Sequence, residues 1–450
     1  MSKVPEWVLK HPEGKVKLAV ADIDGVLRGK YISTEKFLNA TENGLGFCDV
    51  IFGWDINDLA YDNANFTGWH TGYPDTNVEI DLTTLRKIPW ENDIPFLLAD
   101  CSVQQNSAHL ICPRQLLKRI TADCHEMGFT PFFSQEFEWF NFQETPESLQ
   151  KKNFQNLTSL SPGMFGYSLL RSSLHQNFMS SLFGELQSFG IPLEGLHTET
   201  GPGVYEAAIA YAEIMEAADR AVLFKTAVKE IALRSGISAT FMAKINKDLP
   251  GCSGHVHQSL WDSDKNNNLF YNDQSADKIS DLMKSYIAGQ LICLPEILPM
   301  IAPTVNSYKR LVEGAWAPTT VTWGIDNRTV ALRALPTGKK SCRLETRVVG
   351  SDTNPYLAMS ACLAAGLYGI RNNLQLHQPA TAGNGYEEKQ YGILPADLYQ
   401  ATMRMKNSAI ARSLFGDTFV EHFTATREWE WRQYSKAVTD WEMQRYFEII

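Results

Sequence analysis

No Cys-x-x-Cys pair occurs among the eight cysteines, which removes the spacing expected of a structural zinc site or a dithiol redox centre. Cys48, Cys101, Cys112, Cys124, Cys252, Cys293, Cys342 and Cys362 lie scattered in apolar or mixed surroundings and read as reduced core thiols, which implies a cytoplasmic location. No uninterrupted apolar run approaches the ~18 residues of a bilayer span. The longest candidate, Leu291 to Pro303, is broken by Glu296 and three prolines, and Met1 to Pro12 carry no apolar signal region. There is no G-x-x-x-x-G-K-[ST], so a nucleotide would not be cradled by a P-loop. Internal repeats, low-complexity segments and long charge runs are also missing. Basic residues are in deficit, with 41 Lys and Arg against 51 Asp and Glu and a net charge of −10, which opposes nucleic acid and anionic membranes as partners.

What is present is an ordinary globular composition, 44% hydrophobic and 20% charged, over 450 residues. That length exceeds one hydrophobic core and predicts two domains of unequal size. Residues 16–32 alternate as two short strands across the Asp24-Gly25 turn, a hairpin signal. Phe47 to Asn106 is rich in Asp, Asn, Gly and Trp and reads as strands joined by functional loops. Pro113 then opens an apolar helical period that Gly128 closes, so the boundary falls near residue 107, dividing 1–107 from 108–450. Beyond it, helices are expected at about 168–189, 206–235, 276–292, 354–375, 396–411 and 427–446. Strands are expected at 130–140, 239–246, 254–261, 319–325, 328–335 and 342–349. The order is α+β, without a regular βαβ repeat.

Glu136 and Glu138 sit two apart in the strand-forming run Ser134–Phe140 and therefore share a face. Two anions on one apolar strand call for a cation between them or for solvent. Glu199 and Glu206 bracket a Thr-Gly-Pro-Gly turn, and Glu194 precedes them. After the glycine-bearing loop at Gly251, the residues His255, His257 and Ser259 alternate onto one face. Arg343, Glu345 and Arg347 form a cation–anion–cation row suited to phosphate or carboxylate recognition. Taken singly, each fits a strand edge, a turn, a hydrogen-bonded histidine or a surface ion-pair ladder. Together, five glutamates with one histidine favour Mg²⁺ or Mn²⁺ over Zn²⁺. With Arg310, Arg328, Arg333, Arg343 and Arg347 in the C-terminal half, they point to a metal-dependent, nucleotide-using enzyme that transfers phosphoryl groups.

Three further motifs follow in order: Ala302-Pro-Thr-Val-Asn-Ser-Tyr-Lys-Arg-Leu311, Trp323-Gly-Ile-Asp-Asn-Arg328 and Asn354-Pro-Tyr-Leu357. With the E-x-E and H-x-H elements, the chain from about residue 16 onward resembles the glutamine synthetase superfamily. The resemblance implies a small β-grasp-like N-terminal domain and a large catalytic domain with a curved antiparallel sheet. It assigns Glu138, Glu199 and Glu206 to one metal and Glu136, His255 and Glu345 to a second. It also assigns Gly251, Arg310, Arg328 and Arg347 to glutamate, and Glu194, Ser259, Arg333, Lys340 and Arg343 to ATP and its phosphates. The implied chemistry activates the γ-carboxyl of L-glutamate as a phosphate, which a nitrogen nucleophile then displaces. The implied assembly is a homo-oligomer of stacked hexameric rings with sites at subunit interfaces.

The chain departs from the ammonia-using pattern at the nucleophile site. A cage glutamate six residues after Arg310 is replaced by Trp316, and a second cage aspartate by Trp69, while the aspartate regarded as the base falls on Asp55. Tryptophan gives up charge attraction for ammonium but offers apolar or cation–π contact to an organic amine. The segment from Trp316 to Arg328 resembles the branch that makes γ-glutamyl amides from polyamines, alkylamines or anilines. The expectation is an ATP-dependent ligase of glutamate with a compact organic amine. Alternatives are an ammonia-using synthetase and a structural or nitrogen-sensing homologue. Tyr391 lies near a tyrosine that is adenylylated in some bacterial members and reads as a packed surface residue. Trp429, Trp431 and Trp441 of the last helical segment suit either ring contact or core packing.

Overall fold

The computed structural model describes residues 4–103 and 107–450. A first sheet of six strands contains Leu27–Ser33, Lys15–Ala21, Ile94–Cys101, Asp75–Ile80 and Leu45–Cys48 in spatial order, with Arg86–Ile88 also paired to Ile94–Cys101. The expected hairpin is present: Lys15–Ala21 pairs antiparallel with Leu27–Ser33, in register from Lys15–Ser33 to Ala21–Leu27. Ile94–Cys101 runs parallel to Lys15–Ala21, and the helix Thr34–Asn43, capped by the Ser33 hydroxyl, leads from the edge strand Leu27–Ser33 to the opposite edge strand Leu45–Cys48.

The strand Lys15–Ala21 divides its side chains between two cores because successive residues point to opposite faces. Val16, Leu18 and Val20 join a smaller cluster with Phe37, Val78 and Leu97. Ala19 and Ala21 face the large cluster, which gathers Phe133, Phe137, Trp139 and the helices Ile214–Arg234, Asp281–Ile297 and Pro355–Arg371.

A second sheet of nine strands orders Trp323–Ile325, Leu332–Leu335, Arg343–Thr346, Val256–Asp262, Phe129–Phe142, Val204–Ile209 and Leu193–Thr198, with two short strands also paired to Phe129–Phe142. All its pairings are antiparallel except Trp323–Ile325 with Leu332–Leu335. The fold is α+β, as the order of elements predicts.

Several expected spans are corrected. Residues 206–213, read as the start of a helix, belong instead to the strands Val204–Ile209 and Ala212–Glu213, and the helix is Ile214–Arg234. Tyr205, Ala207 and Ile209 alternate into the core while Glu206 points away, so pairing with Phe129–Phe142 overrides the helix propensity of the alanines. The strand expected at 239–246 is confined to Ser238–Thr240, and that at 319–325 to Trp323–Ile325. The last helical segment starts earlier and splits into Asp417–Ser435 and Asp440–Tyr446, the second opened by a capping box of Thr439 and Glu442. Of the loop-rich stretch Phe47–Asn106, residues 104–106 lie outside the described residues.

Candidate active site

The long strand Phe129–Phe142 sets the geometry. Phe133, Phe137 and Trp139 go into the large core, so Glu136 and Glu138 emerge together on the opposite face. Cross-strand register carries the row outward: Glu138 pairs with Glu206, and Glu206 with His197. On the other side Ser134 pairs with His257, His257 with Glu345, and Glu345 with Arg333.

Two clusters of potential ligand atoms result, each with its atoms within 4.8 Å of one another: Glu136, His257 and Glu345, and His197, Glu199 and Glu206. His255 Nδ1 lies 2.7 Å from Glu136 Oε1 and 3.2 Å from Glu345 Oε1, so the three residues assigned to one metal do meet. Its Nε2 is buried without a partner. His257 Nδ1 accepts from Arg343 Nε at 3.3 Å, which leaves Nε2 to carry the proton toward Glu136 Oε2 at 3.4 Å. Glu199 and Glu206 are joined by His197, whose Nε2 is 3.1 Å from Glu206 Oε1 and whose Nδ1 is 3.9 Å from Glu199 Oε2. Glu138 Oε2 accepts the Ser253 N–H at 2.6 Å.

Charge is unevenly compensated here. Burial raises the Glu136 pKa, but hydrogen bonds from His255 and His257 outweigh it and hold the carboxyl well below its usual range. Glu345, likewise buried, is held down to about 2 by His255 and Arg347. Glu138 and Glu206 are pushed up by burial and then by neighbouring carboxylates. Two under-compensated carboxylates facing each other across a ladder, beside an imidazole nitrogen with no partner, fit a divalent cation held by oxygen and nitrogen donors.

Next to this row lies a cavity of about 390 Å³ that reaches Glu136 and His257. Glu194, Ser259, Lys340 and Arg343, four of the five positions assigned to ATP, line it. Phe132 forms an aromatic wall with Tyr211 and Trp261 at centroid distances of 6.0 and 5.4 Å. The fifth, Arg333, is engaged elsewhere: it donates to Glu345 Oε2 at 2.9 Å and to Asp326 Oδ1 at 3.0 Å.

The positions assigned to glutamate gather at the other end of the row. Arg347 donates to Glu345 Oε1 at 2.5 Å and to the Arg328 carbonyl at 3.1 Å, and Arg310 donates to the carbonyls of Val348 and Arg347 at 2.9 Å each. Gly251 packs so closely on Arg310 that a Cβ there would lie 2.7 Å from Arg310 Cγ. The Arg328 side chain is exposed.

Three assigned residues do not join this group within the chain. Asp55 is buried, and its hydrogen bonds run to its own turn, to Arg28 and to Trp429. Trp69 is 82% exposed and meets Tyr73 edge-on at 5.4 Å. Trp316 is 67% exposed with a positive φ of 58°, in a loop whose backbone adjoins the buried Tyr386 hydroxyl, itself within the field of Arg347 and Arg310. Conversely, His197 and Tyr167, whose rings stack at 4.3 Å, belong to the site but were not singled out in the sequence. His197 could have been found, because it lies two residues before Glu199 on a strand that ends at Thr198.

Comparison with known proteins identifies the family. A family model described as glutamine synthetase, catalytic domain, matches residues 110–446. Type-1 glutamine synthetase 2 of Dictyostelium discoideum is 55% identical over 97% of this chain and 84% of its own length. Glutamate–isopropylamine ligase of a Pseudomonas species is 36% identical over 100% of this chain and 98% of its own. Gamma-glutamylethanolamide synthetase of Streptomyces coelicolor is 36% identical over 96% of this chain and 92% of its own. Among solved structures, a GmaS–ADP complex superposes with a TM-score of 0.85 at 25% identity, with both chains fully covered. The chain belongs to the glutamine synthetase family.

Proposed function

We propose that this protein is an ATP-dependent ligase that joins the γ-carboxyl of L-glutamate to a small organic amine through γ-glutamyl phosphate, releasing ADP and phosphate. The observation that carries this reading is Trp316, an exposed indole in a loop whose backbone adjoins Tyr386, at the position where the ammonia-using pattern has a glutamate. The relatives named for joining glutamate to isopropylamine and for making γ-glutamylethanolamide support it.

In this reading Glu138, Glu199 and Glu206 hold one divalent ion, and Glu136, His255 and Glu345 hold another, with Mg²⁺ or Mn²⁺ as the ion. Metal bound there supplies positive charge against the phosphate oxygens. Glu194, Ser259, Lys340 and Arg343 hold the nucleotide in the aromatic-walled cavity, and Arg333 steadies Glu345. Arg310 and Arg347, with the backbone at Gly251, shape the glutamate end. Arg328, whose side chain is free of ion pairs among the described residues, is the guanidinium available to the reacting carboxyl phosphate. Asp55 takes the proton from the incoming ammonium. The free amine then forms the C–N bond as the C–O bond to phosphate breaks, and phosphate leaves with the bonding pair and takes up the second nitrogen proton.

Because Asp55 and Trp69 lie apart from the carboxylate row, we infer that they serve a neighbouring subunit's site in a homo-oligomer of stacked hexameric rings. The division near residue 107 then separates a donor lobe from the lobe that carries the metals. A cytoplasmic location goes with the reduced thiols.

The ammonia-using reading has one specific observation in its favour, the 55% identical relative that is named a glutamine synthetase. Trp316→Glu separates the two. The variant is expected to gain ammonia-dependent phosphate release at least several-fold while losing organic-amine turnover. An unchanged ratio of the two activities would count against the amine reading.

A further inference from the structure

Trp429 lies in the helix Asp417–Ser435, far from the metal row in sequence, and its side chain is not spent on core packing alone. Its indole is buried in a small cluster with Tyr61 and Ala64, meets the Tyr61 ring edge-on at 5.9 Å, and carries Arg432 over its face at 5.4 Å. The ring N–H donates to Asp55 Oδ2 at 2.9 Å across 374 positions of sequence.

The two oxygens of Asp55 are used differently. Oδ1 accepts the backbone N–H groups of Asn57 at 2.8 Å and Leu59 at 3.0 Å, which fixes it inside its own turn. Among the described residues Oδ2 accepts from Trp429 alone, so a carboxylate oxygen with two lone pairs keeps one open. The turn is itself gripped from its own lobe, where Arg28 donates to the Asp55 carbonyl at 3.4 Å and to Asp58 Oδ1 at 2.7 Å. Trp429 is therefore the one side-chain donor, among the described residues, that sets the direction of the oxygen left free.

We propose that Trp429 is a positioning residue for Asp55, aiming Oδ2 so that its open lone pair receives the amine proton. The inference rests on Asp55 being the base. In the step concerned, Oδ2 takes a proton from R–NH₃⁺, the neutral nitrogen attacks the acyl carbon of γ-glutamyl phosphate, and phosphate leaves with the C–O bonding pair and takes up the second nitrogen proton.

The test compares two nucleophiles in the full-length enzyme: an alkylamine, protonated at neutral pH, and hydroxylamine, already unprotonated there. Trp429→Phe keeps the ring and removes the donor. Its kcat with the alkylamine is expected to fall about tenfold, the loss of roughly one charge-assisted hydrogen bond. Turnover with hydroxylamine, and KM for ATP and glutamate, are expected to stay within about twofold. Unchanged alkylamine turnover, or equal loss with both nucleophiles, would overturn the proposal by reducing Trp429 to packing. Asp55→Asn runs in parallel: if it loses alkylamine turnover while Trp429→Phe does not, only the positioning role fails. If Asp55→Asn itself keeps alkylamine turnover, the assignment of the base fails and the positioning role with it.

Discussion

At the scale of single residues, the same helix holds a second unusual side chain. His422 is buried, faces the backbone of Phe52, and its ring meets Phe66 edge-on at 6.1 Å. Burial, with the nearby charge of Arg427, pulls its pKa from the ordinary 6.5 down to about 4. A histidine with a lowered folded pKa favours the fold while neutral. Its stabilisation is complete above the unfolded value and is lost as pH falls from 6.5 toward 4. Between pH 7 and 4.5 this one group should cost about 2–3 kcal/mol. His422→Phe is expected to remove that part of the acid sensitivity, read as the denaturant midpoint of each protein at the two pH values. Parallel losses in wild type and variant would show that His422 is not the source.

At the scale of elements, the junction between the two sheets turns on Arg114, in the first turn of the helix Pro113–Glu126. Its guanidinium donates to Asp219 Oδ1 and Oδ2 at 2.9 and 2.8 Å, to Asp81 Oδ2 at 2.9 Å and to Asp100 Oδ2 at 2.5 Å. Asp100 lies in the strand Ile94–Cys101, Asp81 follows the strand Asp75–Ile80 and Asp219 sits in the helix Ile214–Arg234, where Tyr356 adds its hydroxyl at 2.6 Å. Asp81, half-buried, is held at about 2 because Arg114 and Lys118 outweigh the effect of burial. Arg114→Met leaves Asp219 buried without its cation, while Asp100 keeps Lys118 at 2.7 Å, and is expected to destabilise the protein by about 3–5 kcal/mol in thermal or chemical unfolding. A loss under about 1 kcal/mol would mean that the lobes are joined by their apolar contact alone.

What the sequence revealed at this scale follows from the range of the forces involved. The strand bearing Glu136 and Glu138 was legible because alternation is local, and the helix from Pro113 to Gly128 because its punctuation is local. Val204–Ile209 was misread because its conformation is imposed by pairing with Phe129–Phe142. The Arg333–Glu345 pair and the hold of Trp429 on Asp55 carry no local signature, since each joins residues brought together only by the fold.

At the scale of the whole molecule, no helix among the described residues is long and apolar enough to cross a membrane. The chain nevertheless exposes a concentrated apolar stretch: Met164, Phe165, Tyr167, Leu169, Leu170 and Leu174 are each more than half exposed, as are Trp441, Phe447, Ile449 and Ile450 near the C-terminus. Surfaces of that kind are covered by partners in stable proteins, and a second copy of the chain is the partner that would also bring an Asp55 to each carboxylate row. On the proposed reading, five of the glutamates behind the net charge of −10 are metal ligands, and that part of the acidity would be met by divalent cations.

The central claim is the identity of the nucleophile, and phosphate release from glutamate and ATP measures it most directly. With Mg²⁺ or Mn²⁺ present, purified enzyme is to be assayed with ammonia and with a panel of alkylamines, arylamines and polyamines. A kcat/KM for a compact alkyl- or arylamine at least tenfold above that for ammonia is the result the proposed function predicts. Ammonia used as efficiently as the best amine of the panel would contradict the account.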